Sequence, residues 1–182
     1  MTGITMKLID DDALAQLDGY AQRARDPRGM YENIGMALVT STQHRFDTAI
    51  APDGSIWPPS LRVIAGGGQT LKLSGRLMRS ITYIATATGV EVGTNVIYAA
   101  IHQFGGTILK AAREAILHFK TNKRTGQSRF AKPGKADRAQ KVTIGAHAVR
   151  MPVRAFIGMD DDDDRTVINA AEAWLAGEAV PQ

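Results

Sequence analysis

Cysteine is absent from the 182 residues, which excludes disulfides, thiolate metal sites and cysteine nucleophiles together. The absence suits folding in a reducing bacterial cytoplasm. Histidine is scarce: no two of His44, His102, His118 and His147 stand at the i, i+3 or i+4 spacing with which one helix presents a pair of metal ligands. No apolar run approaches the roughly 20 residues of a membrane-spanning helix, and Met1 to Lys7 lacks the basic start and apolar stretch of a signal peptide. We expect neither export nor membrane insertion.

Catalytic patterns are missing too. There is no Gly-x-Ser-x-Gly elbow, and Gly66-Gly67-Gly68-Gln69-Thr70 is not followed by the Lys-Ser or Lys-Thr of a phosphate loop. The run Asp160 to Asp164 lacks the alternating ligands, central glycine and terminal glutamate of a calcium loop. No catalytic residue, metal site or cofactor is expected.

Acidic residues are depleted in one place. Between Lys110 and Arg150 there are eleven Lys or Arg, opposed only by Glu114 and Asp137, for a net +9. The rest of the chain has eleven basic against sixteen acidic residues, a net −5. A whole-chain charge of +4 therefore hides a mildly acidic body and one strongly basic segment. From Lys120 to Lys141 large apolar residues are few, so the stretch reads as unable to fold alone. Its cations Lys120, Lys123, Arg124, Arg129, Lys132, Lys135, Arg138 and Lys141 define a basic arm. Three uses are open to it: docking on an acidic protein face, simple solvation, or contact with nucleic-acid phosphates, where Phe119 and Phe130 could stack on bases.

The remaining pattern is that of a soluble globular domain, 44% hydrophobic and 22% charged. Ile4, Met6 and Leu8 suggest an opening strand. Asp10 to Asp12 cap a helix whose apolar side holds Ala13, Leu14, Leu17, Tyr20, Ala21 and Ala24, and Asp26-Pro27-Arg28-Gly29 ends it. A second helix spans about Tyr31 to Ala49, with Tyr31, Ile34, Leu38, Val39, Thr42 and Phe46 on one face and His44 on the solvated one. Residues 51–70 read as a long irregular loop around the Pro52-Asp53-Gly54 turn. Within it, Trp57 anchors either on the chain's own core or on a neighbouring subunit. Ser74 is placed to cap one helical turn. Strands are expected within 80–88 and at Val90 to Gly93, followed by a short helix from Ile97 to Phe104 that Gly105-Gly106 terminates.

Beyond the arm, Leu109 to Phe119 fits strand or short helix, and 142–144 and 148–151 read as strands returning to the sheet. Five consecutive aspartates belong at a helix N-terminus, where unpaired N–H groups and the dipole favour negative charge. Val167, Ile168, Ala171, Trp174 and Leu175 then line one side of a last helix. The implied class is α+β: an antiparallel sheet packed by two to three helices, with long loops and a basic insertion at about 110–150, in one domain over 1–182.

Five segments in one order resemble the phage virion morphogenesis family. They are Phe46, Pro52 to Pro58, Leu71 to Leu77, Val92 to Gly106 (ending His102-Gln103-Phe104-Gly105-Gly106), and Met151 to Gly158, which is similar to a Pro-x-Arg-x-Phe-x-Gly element. The resemblance spans about 40–175. Pro59-Ser60 departs from a leucine that often follows Trp-Pro, and Ala155 replaces a more usual proline.

This family includes tail-completion proteins of Mu-like and P2-like phages. The resemblance implies a non-enzymatic virion protein: a tail terminator in a six-fold ring that contacts the tail tube on one side and neck or connector proteins on the other. A neck adaptor touching portal or DNA is the alternative reading. A nucleic-acid-binding protein acting through the basic arm is a third. The implied location is the virion tail or neck, and the host cytoplasm during assembly. Trp57, Tyr98 and Phe104 would supply interface area, with core packing as the competing use. Arg154 would pair with a carboxylate or cap carbonyls.

Overall fold

The computed structural model describes residues 10–178; the expected strand at Ile4 to Leu8 lies outside them. The chain is α+β, and its contacts divide it into two units, one built from residues 10–104 and 153–178 and the other from 105–152.

In the first unit, helix α1 (Asp11–Arg25) begins on Asp10, whose carboxylate accepts the Ala13 N–H at 3.0 Å. Pro27 ends one helix and starts the next, α2 (Arg28–Thr48), three residues earlier than the periodicity alone implies. Ala49, in the left-handed conformation at φ 57°, closes α2. Residues 50–56 fold back as a tight turn: Ile50 bridges Ile56, and Asp53 accepts the Ser55 N–H at 2.9 Å. The rest of the expected irregular loop is partly helical. Ser60 caps α3 (Leu61–Gly66), and Gly67 at φ 73° stops it; the two prolines before Ser60 disguised this short helix. The single turn α4 (Arg76–Arg79) starts from Gly75 in the left-handed region, with Ser74 Oγ accepting the Arg76 N–H at 3.3 Å.

Strands β1 (Thr82–Ala85) and β2 (Val90–Gly93) form an antiparallel hairpin in which Tyr83 opposes Val92. Helix α5 (Ala99–Gln103) follows, and α6 (Asp161–Ala176) completes the unit. The core joins Phe46, Trp57, Leu77, Ile81, Val96 and Phe156, drawn from α2, the loops and α4. Phe46 is centred 5.4 Å from Trp57, edge to face, and 5.3 Å from Phe156, a cluster worth more than its buried area alone. Helix α2 crosses α6 and the β1–β2 hairpin. Glycine makes both approaches possible: a Cβ on Gly29 would sit 2.4 Å from the Trp174 ring, and one on Gly35 2.4 Å from the Tyr83 ring.

Two amphipathic faces differ from expectation. Helix α1 forms as read, but its apolar stripe stays in water, with Leu14 59%, Leu17 60% and Tyr20 40% exposed. In α6 Val167, Ala171 and Trp174 are half-buried on the expected side, but the fully buried positions are Asp163 and Ala170, and Ile168 and Leu175 are exposed. The side chosen by periodicity was rotated because a buried aspartate carries no hydrophobic signal.

The second unit is entirely β apart from one 3-10 turn at Pro133–Lys135. Strand β3 (Gly106–Lys110) pairs with β7 (His147–Met151). Strand β4 (Arg113–Thr121) lies between β5 (Ser128–Phe130) and β6 (Arg138–Ile144), all antiparallel. This corrects two expectations. The stretch from Lys120 to Lys141 is not a bare loop, because cross-strand pairing satisfies its backbone without much apolar burial. The strands at 138–144 and 147–151 pair inside this unit, so the described residues form three small sheets rather than one.

Candidate functional site

The segments that carry the family resemblance converge in space within the first unit. Gln103, the last residue of α5, clamps the chain at 156–157. Its Oε1 accepts the N–H groups of Phe156 and Ile157 at 3.0 and 3.1 Å, and its Nε2 donates to the Ile157 carbonyl at 2.7 Å. One residue away, the His102 carbonyl accepts the Arg154 N–H at 2.8 Å. Arg154 then reaches the Trp57-Pro58 segment, donating from Nε to the Pro58 carbonyl at 2.7 Å. Trp57 answers by donating its indole N–H to the Ala155 carbonyl at 2.9 Å. Three separated motifs are thus one hydrogen-bonded network.

Of the residues expected at an interface, Trp57 and Arg154 are only 3% and 4% exposed. Trp57 anchors on the chain's own core, the first of its two alternatives. Arg154 caps a carbonyl and has no carboxylate partner among the described residues; burial lowers its pKa. Tyr98 is 38% and Phe104 76% exposed, so both present side chains outward. Tyr98 shares a cleft of about 250 Å³ with Leu71, Leu73, Ser74, Leu77 and His102. The His102 ring lies edge-on to Tyr98 at 6.1 Å, and its buried Nδ1 has no hydrogen-bond partner among the described residues. Burial first, and the charge of Arg154 second, lower the His102 pKa. His44 is exposed on α2, as expected.

Sequence reasoning missed Arg45. Its guanidinium is buried, donating to the carbonyls of Phe156 and Gly158 at 3.3 and 2.8 Å and to the carboxylates of Asp160 and Asp163. The aspartate run caps α6 as predicted: Asp160 accepts the Asp163 N–H at 2.9 Å, and the Asp163 side chain accepts the Asp160 N–H in return. Arg45 adds a second use for the same two carboxylates, and its hydrogen bond is the main reason that the Asp160 pKa is lowered. One sign in the sequence pointed to it, an arginine beside Phe46 on the inward side of α2.

In the second unit, Lys120 and Arg129 stand directly opposite each other on β4 and β5, and Lys141 opposes Ile116 on β6. Lys123 and Arg124 occupy the β4–β5 turn, where Asn122 Oδ1 accepts the Arg124 N–H at 2.9 Å and Gly126 adopts φ 70°. Lys132 precedes the 3-10 turn and Lys135 is its last residue, and Arg138 lies over the Phe119 ring at 5.1 Å. Phe119 and Phe130 stack on each other at 5.2 Å and so are already occupied. Among the described residues no group of three or more His, Asp or Glu gathers as a metal site, and no helix is long and apolar enough to cross a membrane.

A family model described as the phage virion morphogenesis family matches residues 9–176. Comparison with curated proteins and with solved structures gives no significant match.

Proposed function

Since the chain belongs to the phage virion morphogenesis family, a family with a structural or assembly role in the phage virion, we propose that it is a tail-completion subunit that closes the tail as one member of an oligomeric ring at the head–tail junction. The observation carrying this reading is the apolar stripe of α1. A 15-residue helix, well capped and with Leu14, Leu17 and Tyr20 in register, keeps that face in water. Burying each such side chain is worth roughly 1.5–3 kcal/mol, and a neighbouring subunit is the natural cover. Phe104 and the exposed Leu73 and Ile97, all within or beside the family motifs, add apolar area of the same kind.

Electron microscopy of particles carrying a tagged copy tests the location, and the expected result is a ring of label at the head-proximal end of the tail. Label in the neck layer would favour the adaptor reading instead. The double variant Leu14→Asp, Leu17→Asp tests the ring. It should fold normally, since neither side chain is in the core, yet yield unjoined heads and tails. Normal infectious yield from that folded variant would refute the role assigned to α1.

A further inference from the structure

We infer that the β4–β5–β6 ribbon is a sequence-independent binding surface for the phosphate backbone of duplex nucleic acid. The inference rests on the ribbon alone and stands apart from the ring reading.

Three observations lead there. First, the cations are uncommitted: within 105–152 the only ion pair is Lys141–Glu114 at 2.7 Å, and the other acid, Asp137, accepts the Thr121 N–H at 2.8 Å. Ten of the eleven basic residues therefore have no carboxylate partner among the described residues. Second, two like charges are placed where they repel. Lys120 and Arg129 form a directly opposed cross-strand pair, an arrangement that costs stability unless an external anion neutralises it. Third, cations line both faces of the ribbon. Strand alternation puts Arg113 and Arg138 beside Leu117, Phe119, Val142 and Phe130, and Lys120, Arg129 and Lys141 on the other face with Glu114, His118 and Ile116.

The face that carries Lys120, Arg129 and Lys141 is mostly polar, as nucleic-acid interfaces are and protein interfaces are not at their centres. The major groove of duplex DNA admits a two-stranded ribbon, and the sheet is two strands wide over most of its length, since β4 pairs with β6 over 113–119 and with β5 over 119–121. Because Phe119 and Phe130 are already stacked on each other, base stacking by these rings is not offered. That points to the duplex backbone rather than to unstacked single strands.

The test is fluorescence anisotropy of the full-length protein with a labelled duplex of about 25 base pairs and arbitrary sequence, over a range of NaCl concentrations. Lys120, Arg129, Lys123 and Arg124 provide four phosphate contacts, so Kd should rise roughly a hundredfold between 50 and 200 mM salt. The variant Lys120→Gln, Arg129→Gln should keep the far-ultraviolet spectrum and halve the slope of log Kd against log salt. The control Arg28→Gln, Arg165→Gln, which removes two cations from the other unit, should leave the slope unchanged. Absence of binding at 50 mM salt, or a slope that responds equally to both variants, would overturn the inference. Equal competition by poly-glutamate and by unlabelled duplex would also overturn it and assign the ribbon to an acidic protein.

Discussion

Arg45 on α2 donates to the carboxylate of Asp163 on α6 while both side chains are almost excluded from water, at 6% and 5% exposure. The pair joins α2 to α6, and Asp160 completes it from the helix cap. Such a cluster adds little net stability relative to an apolar replacement. Removing one member, however, strands a buried charge.

Asp163→Ala is accordingly expected to destabilise the protein by about 3–5 kcal/mol, read from urea midpoints at constant m. Asp160→Ala, whose side chain is 36% exposed, should cost about 1–2 kcal/mol, chiefly as a lost helix cap. Equal costs at the two positions would show that Asp163 is not the principal partner.

Acid should weaken the fold in two stages. The His102 pKa is lowered from 6.5 by burial, so the unfolded chain takes up a proton that the folded chain resists. Stability should fall as pH drops below about 6.5, down to the folded pKa. The Asp160 pKa is lowered from 3.8 by Arg45, so its contribution is present above that value and lost as pH falls through its folded pKa. Thermal melts from pH 7 to 3 should show both stages, with His102→Leu removing the first and Asp160→Asn the second.

Gln103 closes three hydrogen bonds onto the backbone of residues 156–157. Gln103→Leu leaves two N–H groups and a carbonyl unpaired in a part-buried place, at a cost of about 2–4 kcal/mol. Gln103→Glu retains the acceptor but loses the donor, and should cost less. Chemical denaturation of both variants ranks the two.

Gly35→Ala would bring a methyl group within 2.4 Å of the Tyr83 ring. Alanine favours a helix over glycine by up to about 1 kcal/mol, but forcing α2 from the β1–β2 hairpin should outweigh this and leave the protein about 1–3 kcal/mol less stable. Pairing it with Tyr83→Ala should recover part of the loss, which calorimetry can measure.

Gly106 and Met151 are opposed in the β3–β7 ladder, so their Cα atoms lie about 5 Å apart. Replacing 107–150 by a two-residue Asn-Gly turn should leave the remaining unit folded, since every core residue lies outside the excised stretch. A cooperative melt with the circular-dichroism signature of the helices is the expected result. A molten, non-cooperative product would show that the ribbon is needed for folding.

Local chemistry settled much of this protein from its sequence. The aspartate runs cap α1 and α6 because short acidic side chains complement exposed helix N–H groups wherever the chain goes. Pro27, Gly54 and Gly105 punctuate the chain through backbone sterics alone, and the charge split is arithmetic. The α+β class followed from hydrophobic periods. The buried role of Arg45, the Gln103 clamp and the carbonyl cap made by Arg154 came only from the tertiary structure, because each depends on partners 50 or more residues away. The ribbon was misread for a related reason. Its strands are held by cross-strand hydrogen bonds rather than by apolar burial, and composition does not record which backbone groups will pair. Periodicity predicted the apolar stripe of α1 correctly, but only the packed structure could show that the described residues leave that stripe exposed.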